Sequence, residues 1–253
     1  MPRADSDSPS GRPVAVVTGA GRGIGLAVAK ALARAGFAVA SVSQEPSPPI
    51  EGGRAYEADV SAIEGHAALL ARIADDLGEP TCLVNNAGVT SLVRGDLLDL
   101  SPESWDRTLG VNLRAGFFLT QAFVRRRLQA GPAPGPTSVI FMGSINAEVV
   151  GVERADYCIS KAGVAMMTKL FAARLAEAGI AVFEIRPGVI RTAMTKPATA
   201  RYDAFIEAGG VPQKRWGEPE DVAAAVASLA TGAIPYATGI HIDVAGGLQL
   251  HRV

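Results

Sequence analysis

Short apolar runs alternate along this chain with longer stretches whose apolar positions recur at helical spacing. The runs lie at 14–18, 37–43, 54–58, 82–85, 138–143, 180–186 and 239–244, each rich in Val, Ile, Ala or Phe and bounded by Gly, Asn, Ser or Pro. Between them Ile24, Ala27, Val28, Ala31, Leu32 and Ala35 share one helical face, as do Leu69, Leu70, Ile73 and Leu77. Longer helices are predicted over 102–128 and 156–178, and a shorter one over 219–230, where Pro219 suits a first turn. Strand and helix in strict alternation predict one α/β domain: a seven-stranded parallel sheet, buried on both faces under helices in three layers. One connection breaks the rhythm. "QEPSPPIEGG", from Gln44, carries too many prolines and glycines to hold the expected helix and is predicted as an irregular loop. Residues 129–137, "QAGPAPGPT", likewise predict a surface loop.

The 253 residues, 48% of them hydrophobic, are enough for such a domain. With 24 basic and 25 acidic residues the chain lacks the basic excess typical of partners of nucleic acid or anionic membranes, so neither is expected. A small molecule is the expected partner. No apolar run reaches the length of a membrane span. Cys82 and Cys158 are too few for a disulfide framework, which suits a cytoplasmic location, and His66, His241 and His251 lack metal-ligand spacing, so no metal is expected. Residues 1–13 are polar and proline-rich and predict a disordered tail before a domain spanning 14–253.

Two clusters carry candidate chemistry. The first run leads directly into "TGAGRGIG", where Gly19, Gly23 and Gly25 permit a tight turn against a helix N-terminus, a cradle for a pyrophosphate. The spacing differs from the common G-x-G-x-x-G form. In "YCISK", Tyr157 and Lys161 stand four residues apart, on one face of a helix. A phenol titrates near 10, so it is a poor base at neutral pH; a neighbouring ammonium favours the phenolate and is expected to lower that value. Ser144, at the end of the fifth run, is placed to hold a substrate oxygen beside the phenol.

In chain order "TGAGRGIG", "ADV" at 58–60, "NNAG" at 85–88, "VNL" at 111–113, Ser144, "YCISK" and "RPGVIRT" at 186–192 resemble the short-chain dehydrogenase/reductase family, from Val14 to Gly247. Within that family the chain looks most like the 3-oxoacyl-[acyl-carrier-protein] reductases, which "RWGEPEDVA" and "ATGIHIDVAGG" also fit. The resemblance implies a Rossmann-like domain and hydride transfer between a nicotinamide and a ketone or secondary alcohol. It makes Asn112, Ser144, Tyr157 and Lys161 catalytic, with Asn112 holding a water and Lys161 also binding the nicotinamide ribose. It assigns Gly19, Arg22, Gly23, Ile24 and Gly25 to the cofactor's phosphates, Asp59 and Val60 to the adenine, and Asn86, Ala87 and Gly88 to the adenosine side. Pro187, Gly188, Ile190 and Thr192 would meet the nicotinamide and pyrophosphate. Read without the resemblance, Asp59 is equally a helix cap and Asn86 a turn residue.

Cofactor choice turns on the end of the second strand, where a carboxylate would repel a 2'-phosphate. That position is Ser43, and Arg22 can supply positive charge nearby, so NADP(H) is favoured over NAD(H); Glu45, next along, could reverse the choice. The substrate loop, 193–215, does not spell a substrate. Arg125, Arg126 and Arg127 offer a basic patch for an acyl carrier protein, whereas Ala178 stands where carrier-dependent relatives often carry a basic residue. The leading expectation is an NADP(H)-dependent reductase of the 3-oxoacyl-thioester type. The alternatives are an NAD-dependent dehydrogenase of a cyclic or sugar alcohol and a non-catalytic dinucleotide-binding regulator. The family's habit implies a homotetramer built through the two long helices.

Overall fold

The structure, a computed structural model, describes residues 11–133 and 135–250. Seven parallel strands form one sheet: β1 (Val14–Thr18), β2 (Ala38–Ser43), β3 (Gly53–Glu57), β4 (Pro80–Asn85), β5 (Thr137–Met142), β6 (Ile180–Pro187) and β7 (Ile240–Val244). Their order is β3-β2-β1-β4-β5-β6-β7, every neighbouring pair parallel. The chain reverses its direction of travel between β1 and β4, so the loops leaving those two strands diverge and open a crevice at the carboxyl edge. The expected Rossmann-like sheet is therefore present, and this switch point decides where a ligand can sit.

Helices α1 (Gly23–Arg34) and α7 (Pro219–Ala230) cover one face of the sheet, while α2 (His66–Leu77), α4 (Gly116–Gln129) and α5 (Ala155–Leu175) cover the other. The strands are apolar throughout because both faces are covered: Val16, Leu83, Val139 and Val182 face α2, α4 and α5, while Val17, Val84, Ile140 and Ile185 face α1 and α7. Among the described residues no helix is long and apolar enough to cross a membrane.

Three expectations need correction. The helix predicted over 102–128 is α3 (Pro102–Leu109), then a π-helical turn over Gly110–Ala115, then α4. Hydrophobic period alone does not distinguish that wider turn from continuous helix. The substrate loop 193–215 contains a helix, α6 (Thr199–Glu207), with its own small core of Val189, Ile206, Val211 and Trp216. The tail expected to end at Pro13 is already tied down at Arg12, whose guanidinium donates to the carbonyls of Gly36 and Phe37, each at 3.2 Å. Residues 1–10 of that predicted tail lie outside the described residues, as does His251. Residues 44–52 hold no helix, as their prolines require, and close through a hydrogen bond from Gly53 N to Ile50 O.

Candidate active site

The glycine turn leaves β1 with Gly19 at φ 65° and Gly23 at φ 54°, backbone that side chains rarely adopt. Gly25 is required for a different reason: a Cβ there would lie 2.2 Å from Gly19 O. No side chain caps the start of α1, where Arg22 stands in extended backbone as the N-cap, so the first-turn N–H groups remain for a ligand. Thr18 fastens this turn to the end of β4, its Oγ1 accepting from Asn86 N and Ala87 N at 3.0 Å each. Asn86 donates from Nδ2 to Thr18 O at 2.8 Å and to Gly19 O at 3.3 Å, so its side chain acts as a clamp inside the crevice wall. Thr18 had no signal in the sequence beyond ending a strand.

Asp59 is likewise engaged, Oδ1 accepting from Ser61 N at 2.8 Å and Ser61 Oγ at 2.7 Å, which holds its carboxyl below the usual range against the effect of burial. Asp59 therefore closes a local turn onto Ser61 and caps no helix, since neither the turn at Ile63–Gly65 nor α2 has a side-chain cap; Val60 is half-exposed beside it. Thr192 lies across the glycine turn, its Cγ2 3.5 Å from where a Cβ on Gly23 would stand. Gly188 meets Ala245, and Ile190 is buried among α7 and β6, its carbonyl accepting from Thr195 Oγ1 at 2.7 Å. Pro187 closes β6.

At the end of β2, Ser43 Oγ lies 2.8 Å from Ser47 Oγ and also donates to Glu45 O. No carboxylate occupies that strand end, but the exposed Glu45 lies 3.7 Å from Arg22 Nη1. The charge expected to attract a phosphate is therefore shared with an acid.

Around the catalytic candidates the structure brings β4, β5, the π turn and α5 together. Asn112, in the π turn, donates to Val89 O at 3.0 Å and Ser160 Oγ at 3.1 Å and accepts from Val89 N at 2.8 Å. Gly88 sits beneath it, since a Cβ there would be 3.3 Å from Asn112 Oδ1 and 3.8 Å from Lys161 Nζ. Ser144 is buried and accepts from Asn146 N at 3.2 Å. Lys161 is buried, and its Nζ donates to Met142 O at 2.8 Å while lying 5.6 Å from the Tyr157 ring centre. Burial pulls the Lys161 ammonium down to about 8, with the Glu184 carboxylate resisting.

The expected lowering of the phenol by Lys161 is not what the geometry gives. Burial pushes Tyr157 up, and the groups that oppose it are the Ser144 hydroxyl and the Arg154 charge. Helical spacing placed the ammonium near the ring, but the side chain turns toward the Met142 carbonyl instead.

Three further groups had no motif to announce them. Asp156 is fully buried next to Tyr157 and accepts from Ser91, from Ser104 Oγ at 2.7 Å, from Thr108 Oγ1 at 3.0 Å and from Tyr157 N at 2.7 Å. Burial alone would raise its carboxyl; these donors outweigh it and hold it below the ordinary value. The cage ties α3 and the loop after β4 to the residue carrying the phenol. Glu184 and Arg186, buried on β6, form a pair at 3.0 Å, and Glu184 fills the space where Gly143 would otherwise carry a Cβ, at 2.1 Å. A charged pair in a strand of otherwise apolar residues was the available signal.

Of the expected basic patch, Arg126 pairs with Glu79 and Arg127 is buried against Gly131 O, leaving Arg125 exposed. His66 bonds Val60 O at 2.8 Å, and Cys158 turns to Gly151 O at 3.6 Å, away from the phenol. Among the described residues no group of His, Cys, Asp and Glu could hold a metal.

A family model described as Enoyl-(Acyl carrier protein) reductase matches residues 19–249. The 2-dehydro-3-deoxy-D-gluconate 5-dehydrogenase of Dickeya dadantii is 33% identical over 243 residues, 92% of this chain and 94% of that protein. The (3R)-3-hydroxyacyl-CoA dehydrogenase of Mus musculus is 35% identical over 254 residues, 93% of this chain and 95% of that protein. A crystal structure of 3-oxoacyl-[acyl-carrier protein] reductase from Brucella melitensis in complex with NAD superposes with a TM-score of 0.93 at 46% identity, covering 96% of this chain and 99% of that one. With its glycine turn, its Ser144, Tyr157 and Lys161, and its parallel sheet, the chain belongs to the short-chain dehydrogenase/reductase family and is an oxidoreductase of that family.

Proposed function

We propose that the protein interconverts a ketone and a secondary alcohol, with a 3-oxoacyl thioester as the ketone and NADP(H) favoured over NAD(H). The observation that carries the reading is the convergence of Ser144, Tyr157, Lys161 and Asn112 beside a backbone cradle that only glycine can form. A dinucleotide fits that cradle: positive-φ glycines, an uncapped helix start and no side chain to block the turn. When bound it supplies or accepts the hydride.

The chain's own groups do the rest. Tyr157 gives its proton to the oxygen of the reduced substrate, and in the oxidative direction takes it back. Ser144 holds that oxygen by its hydroxyl. The ammonium of Lys161, fixed by Met142 O, places positive charge beside the Tyr157 ring and the backbone of Gly88. Asn112 fixes the loop of Val89 against α5 and so sets the depth of the pocket. In this reading Arg22 and Ser43 receive the adenosine ribose and its phosphate, Asp59 and Val60 border the adenine, and Asn86, Ala87, Gly88, Pro187, Gly188, Ile190 and Thr192 line the crevice.

Relatives named for 3-oxoacyl and 3-hydroxyacyl substrates support the thioester. With Arg126 and Arg127 engaged, little of the carrier-docking patch is left, so the reading rests on the thioester rather than on an acyl carrier protein. A second reading, an NAD-dependent dehydrogenase of a sugar or cyclic alcohol, is favoured by the Arg22–Glu45 contact and by the sugar-acid relative. The regulator reading finds no comparable support. A cytoplasmic location belongs to the same proposal and agrees with Cys82 and Cys158 being free thiols.

Titration with NADPH and NADH side by side, followed by nicotinamide absorbance with acetoacetyl-CoA, tests it. Tighter NADPH binding with thioester turnover is expected. Tighter NADH binding without thioester turnover, but with oxidation of a sugar acid, would replace it by the second reading.

A further inference from the structure

Glu153 accepts from Arg94 at 3.4 Å and from Arg201 at 2.7 Å and 2.9 Å, so its carboxylate is spent joining the loop after β4 to α6. The next residue, Arg154, has no such partner. It stands three residues before Tyr157, on the loop that also carries Ser144, and its Cζ lies 5.6 Å from the Tyr157 ring centre. Its side chain folds over Gly151, where a Cβ would come within 3.0 Å of Nε. That Nε is buried and makes no hydrogen bond, and among the described residues no carboxylate lies within ion-pair distance of the guanidinium. By contrast Arg94, Arg186, Arg191, Arg201 and Arg215 are each paired with an acid. Glu153 acts on that charge only from beyond ion-pair distance, and the enclosed Nε is out of a ligand's reach, so the terminal guanidinium nitrogens are what a ligand oxygen would meet, in a charge-assisted hydrogen bond.

We propose that Arg154 holds a second oxygen of the substrate, close to the carbonyl oxygen that faces Tyr157 and Ser144, and so selects ketones that carry another acceptor near the reacting carbon. The inference rests on the reading of Tyr157 as proton donor. A 3-oxoacyl thioester and a free 3-oxo acid share this chemistry, the first through the thioester carbonyl, the second through a carboxylate. A simple ketone offers nothing to the guanidinium.

The test compares wild type, Arg154→Met and Arg154→Lys on acetoacetyl-CoA, acetoacetate and butanone, with melting temperature and dinucleotide affinity as checks on folding. The ratio of kcat/KM for a two-oxygen substrate to that for butanone is expected to fall about 10- to 100-fold in Arg154→Met, mainly through KM, and to recover in part in Arg154→Lys. A fall confined to acetoacetate identifies a carboxylate as the partner, and one confined to acetoacetyl-CoA identifies the thioester. An unchanged ratio overturns the inference and leaves the thioester reading standing. A wild type inert toward acetoacetyl-CoA but active on acetoacetate, with the ratio to butanone falling in Arg154→Met, does the reverse. If Arg154→Met does not fold, Arg154→Gln carries the same comparison.

Discussion

Lys161 shows how one side chain's surroundings set a measurable property. Its ammonium is buried with the carbonyl of Met142 as hydrogen-bond acceptor and Glu184 as opposing charge, and burial brings its titration from 10.5 to about 8. The folded value is below the unfolded one, so between about 8 and 10.5 the unfolded chain binds the proton that the folded chain has released. This group's contribution to stability therefore rises with pH across that window, and the cost of burying the charge is full below about 8. For function the sign runs the other way, because the positive charge is present at pH 7 and fades above 8. Dinucleotide affinity of the wild type is predicted to weaken between pH 7 and pH 10, while Lys161→Met binds more weakly at pH 7 and stays flat; a flat wild type would remove the ammonium from the cradle. The Tyr157–Lys161 pair was legible from spacing alone, since i and i+4 share a helical face. Which way the lysine turned was not, because Met142 O reaches it through the sheet. Asp156 was illegible for the same reason: its partners Ser91, Ser104 and Thr108 come from far along the chain.

At the scale of elements, strands and glycine turns were read from sequence because each is decided locally, by apolar runs and by backbone that only glycine tolerates. The π turn at Gly110–Ala115 was not, although glycines at 110 and 116 bracket it. It puts Asn112 against Val89 and Ser160, a seating that an unbroken helix would shift by its different pitch. The helix within 193–215 escaped because it packs on its own small core around Trp216, whose Nε1 donates to Asp203 at 2.7 Å. The glycine turn gives the sharpest prediction. Gly25→Ala would set a methyl 2.2 Å from Gly19 O and push β1 and α1 apart. Dinucleotide affinity should fall at least about tenfold, or 1.4 kcal/mol, as read by calorimetry; affinity within twofold of wild type would mean that the cradle is not where the dinucleotide binds.

Across the whole molecule, the topological switch between β1 and β4 gathers chemistry from β1, β4, β5 and α5 at one edge of the sheet. On the outside, α5 leaves Ile159, Met166 and Leu170 exposed at helical spacing on one face, and α4 leaves Phe118 exposed. We propose that a second copy covers them, in line with the tetramer expected of the family. Light scattering should give a multiple of the 26.1 kDa chain mass, and Met166→Glu with Leu170→Glu should reduce it; a monomeric wild type would contradict this. The proposed chemistry turns on one group, Tyr157, moving the proton when a ketone is reduced. Its most direct test is NADPH oxidation with acetoacetyl-CoA by wild type and Tyr157→Phe, each shown by titration to bind NADPH. Turnover is expected in the wild type and is expected to fall about 10²- to 10⁴-fold in the variant at near-unchanged NADPH affinity; turnover in Tyr157→Phe close to that of the wild type would remove the phenol from the proton transfer.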